Sequence, residues 1–139
     1  MTTIQEIEQE IIEEFEIYDD WMDKYEFLIS YGKDLAPMSE ALKTEDKLIK
    51  GCQSKVWLHA DYDGEKMNYQ ADADAIVTKG IIGLLVRVLN HQSPSEIAKS
   101  ELAFIDSIGL KEHLSPTRSN GLLSMVKQMK LSALQALSR

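Results

Sequence analysis

The run Val56-Trp57-Leu58-His59-Ala60-Asp61-Tyr62, with Asp63-Gly64 and then Met67-Asn68-Tyr69-Gln70-Ala71-Asp72 behind it, decides the fold. Val56, Leu58, Ala60 and Tyr62 alternate with Trp57, His59 and Asp61, the period of a half-buried strand. Met67, Tyr69 and Ala71 repeat that alternation against Asn68, Gln70 and Asp72, and Asp63-Gly64 is a turn pair, so the stretch predicts a β-hairpin. Upstream, Leu48 to Lys50 supplies a third strand, making the expected sheet small, three-stranded and antiparallel. Such a sheet needs helices packed on one face to be stable. Downstream, Ala75 to Asn90 is the most apolar segment. Its β-branched residues Ile76, Val77, Ile81, Ile82, Val86 and Val88 tempt a strand assignment, but it is too long for one, and Asp72 or Asp74 can cap a helix that starts just after. Apolar residues nearly all round predict a buried central helix, with Gly80 and Gly83 marking where another element approaches closely.

The flanks read as helices. Thr3-Ile4-Gln5-Glu6 fits a capping box, and Ile4, Ile7, Ile11 and Phe15 form one stripe. A second helix, capped by Asp19 or Asp20, carries Trp21, Met22, Tyr25, Leu28 and Ile29 and ends near Gly32. Lys33 to Asp46, which contains Pro37, reads mostly as loop. Ser93-Pro94-Ser95-Glu96 opens short helices that run to Ile108 before Gly109. Ser115-Pro116 opens the last helix, whose stripe is Leu122, Val126, Met129, Ala133 and Leu137. The class is therefore α+β, one domain over residues 1–139.

Composition narrows the function. With 44% hydrophobic and 27% charged residues, a chain of this length forms an ordered globular unit. Its net charge of −8 argues against nucleic acid, which needs a concentrated basic surface. Lys79 and Arg87, with the segment's length, exclude a membrane span at Ala75–Asn90. Between Glu6 and Glu26, ten acidic residues stand against Lys24 alone. Glu8, Glu10, Glu14 and Asp19 are expected to face water, or else to offer a docking surface to a basic partner. One cysteine allows no internal disulfide, and no basic-then-apolar leader precedes Ile4, so a cytoplasmic protein with a reduced thiol is expected.

That thiol, Cys52, sits on the loop between Leu48-Ile49 and Val56, where Gly51 permits a sharp backbone path. A thiol there could be a nucleophile, a metal ligand, a redox sensor, a sulfur carrier or a small packing group. Hydrolysis needs a nearby histidine base, yet His59 is more than ~20 Å along an extended strand at 3.3 Å per residue, and His91 and His113 fall at helix ends. One cysteine and three scattered histidines show no metal-ligand spacing. Sulfur transfer asks for one accessible thiol that attacks the outer sulfur of a partner's persulfide. Lys50 and Lys55 either favour the thiolate or are flanking surface charges; Val56 and Trp57 either shelter the sulfur or merely pack. Arg118 falls in the first turn of the last helix, where the macrodipole disfavours a cation, so a carboxylate or bound anion should compensate. Asp74 is the candidate, and a buried ion pair fixing that helix to the core is the alternative role.

The loop Gly51-Cys52-Gln53-Ser54-Lys55-Val56-Trp57 resembles the signature of the SufE family, sulfur acceptors that work beside cysteine desulfurases in iron-sulfur cluster assembly. Asp72-Ala73-Asp74-Ala75-Ile76-Val77-Thr78-Lys79-Gly80 and Leu114-Ser115-Pro116-Thr117-Arg118-Ser119-Asn120-Gly121-Leu122 resemble that family's other two motifs, in the same order. The resemblance implies a SufE/IscU-like fold, with Cys52 as persulfide acceptor and Gly51, Gln53, Asp74 and Arg118 framing its site or binding the partner. It also implies stimulation of a cysteine desulfurase of the SufS type, a scaffold complex as sulfur recipient, and no cofactor in this chain, the pyridoxal phosphate belonging to the desulfurase. A homodimer is conceivable. Two readings of other classes stand beside it: a redox-sensing or thiol-hydrolase protein, and a structural adaptor indifferent to Cys52.

Overall fold

The computed structural model describes residues 2–138. Among them, six helices surround a two-stranded antiparallel sheet: α1 Ile4–Glu16, α2 Trp21–Lys33, β1 Val56–Tyr62, β2 Met67–Ala73, α3 Ile76–Leu89, α4 Pro94–Lys99, α5 Phe104–Ser107 and α6 Pro116–Leu137. The expected hairpin forms, with Val56 opposite Ala73 and Tyr62 opposite Met67. Asp63 closes it, its carboxylate accepting the Glu65 and Lys66 amides at 2.9 and 2.8 Å. Val56, Leu58, Met67, Tyr69 and Ala71 point into the core, as alternation requires.

The third strand does not develop. Leu48 makes one isolated antiparallel bridge to Trp57, and the Ile49 amide donates to the Val56 carbonyl at 2.8 Å. A short helical turn at Glu45–Lys47 precedes the bridge, and Gly51, at φ +93°, swings the chain away after it. One bridge is all that fits between two turns.

α3 is the buried centre. Its glycines work as predicted: a Cβ on Gly80 would lie 2.5 Å from the Leu28 carbonyl oxygen, and one on Gly83 would lie 2.5 Å from that of Tyr31. Hydrogen at these positions lets α2 lie directly on α3. Neither Asp72 nor Asp74 caps α3, however; Ala75 holds the capping position without a side-chain bond. Both carboxylates are spent elsewhere, Asp72 on Lys43 (2.6 Å) and Lys79 (3.2 Å), and Asp74 on the Lys55 amide (3.0 Å). Thr3, Asp20, Ser93 and Ser115 do cap their helices.

The outer edge of β2 is covered by the end of α3. The Tyr69 amide donates to the Asn90 side chain at 2.8 Å, and Met67 exchanges backbone bonds with His91 and Gln92 at 2.9 Å each. α6 closes the opposite side, where the Tyr69 hydroxyl donates to the Met129 carbonyl at 2.8 Å. Its buried face is Leu122, Met125, Met129, Ala133 and Ala136; Leu137, expected in the stripe, is 50% exposed. Of the acidic residues expected to face water, Asp19 and Glu10 are exposed, while Glu8 and Glu14 are partly buried. Glu8 accepts the Phe104 amide at 3.1 Å, while Glu10 and Glu14 hold Arg87 of α3 at 3.2 and 2.6 Å. No described helix is long and apolar enough to cross a membrane.

Candidate functional site

Cys52 lies where the loop after Gly51 presses on the first turns of α6. The positive φ of Gly51 brings its backbone against Ser124, whose hydroxyl occupies the space a Cβ would need. On the next residue the Cys52 Sγ donates to the Gly121 carbonyl at 3.7 Å, and a Cβ on Gly121 would come within 3.5 Å of that sulfur. Two glycines on facing segments therefore let the loop settle on the helix. The far end of the loop is fastened by a reciprocal pair: the Lys55 amide donates to the Asp74 carboxylate at 3.0 Å, and the Asp74 amide to the Lys55 carbonyl at 3.1 Å.

The thiol is half-buried at a cleft of about 60 Å³ lined by Cys52, Gln53, Ser54, Thr78, Ile81, Thr117, Arg118, Gly121 and Met125. Ile81 and Met125 make its inner wall apolar. The Thr78 and Ser54 hydroxyls meet at 3.5 Å, and Arg118 forms an exposed rim. Burial pushes the Cys52 thiol up from its ordinary value, with no opposing contribution from a cation. Lys50 and Lys55 are exposed and do not favour the thiolate here. A wider hollow of about 370 Å³, lined by Glu45, Leu48, Ile49, Lys50 and Lys55, opens on the outer side of the same loop. Cys52 thus lies between a small inner pocket and an open outer one.

Cys52, Gln53 and Arg118 share the inner cleft, and Gly51 shapes its approach. Asp74 is placed at the base of the loop but not in the cleft. The expected Asp74–Arg118 pair is not formed, because Asp74 is committed to the Lys55 backbone and Arg118 is exposed; no carboxylate among the described residues is within ion-pair distance of its guanidinium. Arg118 is consequently not a buried strut. Val56 is core, and Trp57 packs under the Lys43 ammonium, 5.8 Å from the ring centroid; neither lines the cleft. Sequence reasoning passed over Thr78, Gly121 and Ser124. Thr78 and Gly121 fall within the motif blocks, but only folding shows that Gly121 touches Cys52 and that Thr78 lines the same cleft.

None of the three histidines lines the cleft, so it holds no candidate base of that kind. Among the described residues, no group of three or more His, Cys, Asp or Glu side chains is placed to hold a metal ion. What the arrangement offers is one thiol, kept protonated, with apolar cover and a cation at the rim.

Comparison with known proteins agrees with that geometry. Residues 9–133 match the SufE family, described as an Fe-S metabolism associated domain. The chain belongs to the SufE family. It is 41% identical over 127 residues to SufE-like protein 1, chloroplastic/mitochondrial, of Arabidopsis thaliana, covering 91% of this chain but only 34% of that protein. With uncharacterized SufE-like proteins of Synechocystis and Rhizobium meliloti it shares 39% and 36% identity, over 89% of this chain and 78% and 92% of theirs. The solution structure of a hypothetical protein from Thermus thermophilus superposes with a TM-score of 0.79 at 23% identity, over 96% of this chain and 97% of that one. At that identity the likeness speaks for the fold alone. Family membership carries a role in iron-sulfur metabolism, and residues from all three blocks that resemble the family's motifs, Gln53, Thr78 and Arg118 among them, line the Cys52 cleft in this structure.

Proposed function

We propose that this SufE protein accepts sulfane sulfur on Cys52 from the persulfide of a pyridoxal-phosphate-dependent cysteine desulfurase, stimulates that enzyme, and passes the sulfur to an iron-sulfur scaffold. The observation that carries the reading is the placement of the sole cysteine on a loop held to α6 by small contacts rather than by a sheet ladder. Such a loop is cheap to displace. Cys52 as thiolate attacks the donor's outer sulfur; the donor's S–S bond breaks, its inner sulfur leaves with the electron pair and takes up a proton, and Cys52 becomes the persulfide. Donor and acceptor exchange one sulfur with no net oxidation, so no cofactor is needed in this chain. The pyridoxal phosphate stays on the donor.

The burial that keeps the thiol protonated suits this role. A resting thiol that is poor in thiolate is a slow target for oxidants, and docking that draws the loop toward Arg118 and into a charged cleft would lower its pKa when needed. Gly51 and Gln53 shape that loop, Asp74 anchors its base, and Arg118 is positioned to meet the partner or the persulfide anion. A redox sensor would instead need a thiolate-rich cysteine, which disfavours that reading. The relay requires a reducing compartment such as the cytosol, where a lone thiol stays free.

The test is the rate at which a desulfurase releases alanine from cysteine. Wild-type protein should raise it and Cys52→Ser should not; stimulation that survives in Cys52→Ser overturns sulfur transfer through this residue.

A further inference from the structure

α6 has an apolar outer face that the other described residues leave about half exposed. Leu123, Leu131, Leu134 and Leu137 are each between 42% and 52% exposed. At 3.6 residues per turn they fall within roughly 120° of the helix circumference and run for about 21 Å along it. Their combined exposed surface is on the order of 300 Å², the size at which an apolar patch on a monomer is often functional. Single exposed leucines are ordinary on a protein surface; four gathered on one helix face form a patch.

The charges on this helix are all of one sign. In a chain with 23 acidic and 15 basic residues, the 22 residues of α6 contain Arg118, Lys127 and Lys130 and not one carboxylate. The Lys130 ammonium is turned onto the Ser100 carbonyl, but Lys127 is exposed in the middle of the leucines and has no ion-pair partner among the described residues. The face is also continuous with the thiol site. Ser124, next to Leu123, lies against Gly51, and Thr117 and Arg118 line the Cys52 cleft. A body seated along the leucines would have its edge at Cys52.

We propose that this face is the docking surface for a protein presenting an acidic rim around apolar side chains, and that this protein is the sulfur donor. The proposal rests on the sulfur-acceptor reading above. Charge complementarity selects the occupant: a second copy related by a two-fold axis would set Lys127 near its own counterpart with no carboxylate on the helix to offset it, whereas an acidic partner would be attracted to it.

Lys127→Glu and Leu134→Asp, both at exposed positions, test it. Affinity for the cysteine desulfurase of the same organism is measured by titration calorimetry at low and moderate salt. In parallel, Cys52 is loaded from glutathione persulfide, a reaction in which the thiol takes the outer sulfur and glutathione leaves. Each variant should bind at least tenfold more weakly, and the salt dependence of Lys127→Glu should be shallower than wild type, while loading from glutathione persulfide stays at the wild-type rate. Wild-type affinity in both variants overturns the docking surface and leaves sulfur acceptance standing. A wild-type dimer in sedimentation that the variants dissolve overturns it in favour of a second copy. A wild type that neither binds the desulfurase nor takes its sulfur overturns both readings together.

Discussion

Cys52 holds its proton because the loop presses it against α6, where burial raises its pKa and the Gly121 carbonyl accepts its S–H. Alkylation by iodoacetamide near neutral pH should therefore be slower than for a free thiol, and should climb only above the ordinary thiol range of about 8.5. Gly51→Ala tests the cause. An added methyl at φ +93° meets the Ser124 hydroxyl and strains the backbone, a cost of about 1–3 kcal/mol that moving the loop off α6 relieves. The variant should be less stable to urea and its Cys52 faster to alkylate; an unchanged rate would mean the loop is not what shelters the sulfur. The linkage has a sign. A thiol whose folded pKa is raised contributes stability that is present below the unfolded value and lost as pH rises through the folded one.

At the scale of elements, the closest approach between α2 and α3 is backbone against backbone at the glycines. Gly83→Ala would set a methyl 2.5 Å from the Tyr31 carbonyl oxygen and should destabilise by about 1–3 kcal/mol, read from the urea midpoint. Tyr69→Phe removes the hydroxyl joining β2 to α6 and should cost about 1 kcal/mol, the Met129 carbonyl keeping the Ser132 hydroxyl as its remaining side-chain donor. The sequence discloses these elements unevenly. Period-two alternation from Val56 and Met67 and the sheer length of Ala75–Asn90 were sufficient for the hairpin and α3, because burial on one face or all round leaves a mark in residue order. The third strand failed because Leu48 and Ile49 look like strand residues whatever their neighbours, and the Gly51 turn cuts the pairing short just beyond them. Asp72 and Asp74 resemble helix caps in sequence because their actual partners, Lys43 and the Lys55 amide, lie far along the chain. The site was legible at Cys52 and in its motif blocks. That Gly121 lies against Cys52 and Ser124 against Gly51 was not, since the distance between these residues in sequence hides the contacts.

Across the whole molecule, acid and base act on different parts. Glu14 is held below the usual carboxylate range by the Arg87 guanidinium, with burial opposing and the Tyr31 hydroxyl assisting. Burial works against ionisation of Asp72, but bonds from Lys43, the Ala73 amide and Lys79 outweigh it and lower its pKa. Depressed carboxylates contribute stability above their unfolded pKa and lose it as pH falls, so urea midpoints should drop below about pH 4. Arg87→Gln should lower stability at neutral pH and flatten that acid slope, because Glu14 then has no cation to lose. These groups join α1, α2 and α3, away from the cleft, so the substitution should leave sulfur loading unaltered. The central claim concerns one atom, and intact mass after incubation with a cysteine desulfurase and cysteine tests it most directly. The expected result is a single added sulfur on the wild-type chain, removed by reductant and missing from Cys52→Ser; a wild-type mass that never changes, or an adduct that persists in Cys52→Ser, would contradict it.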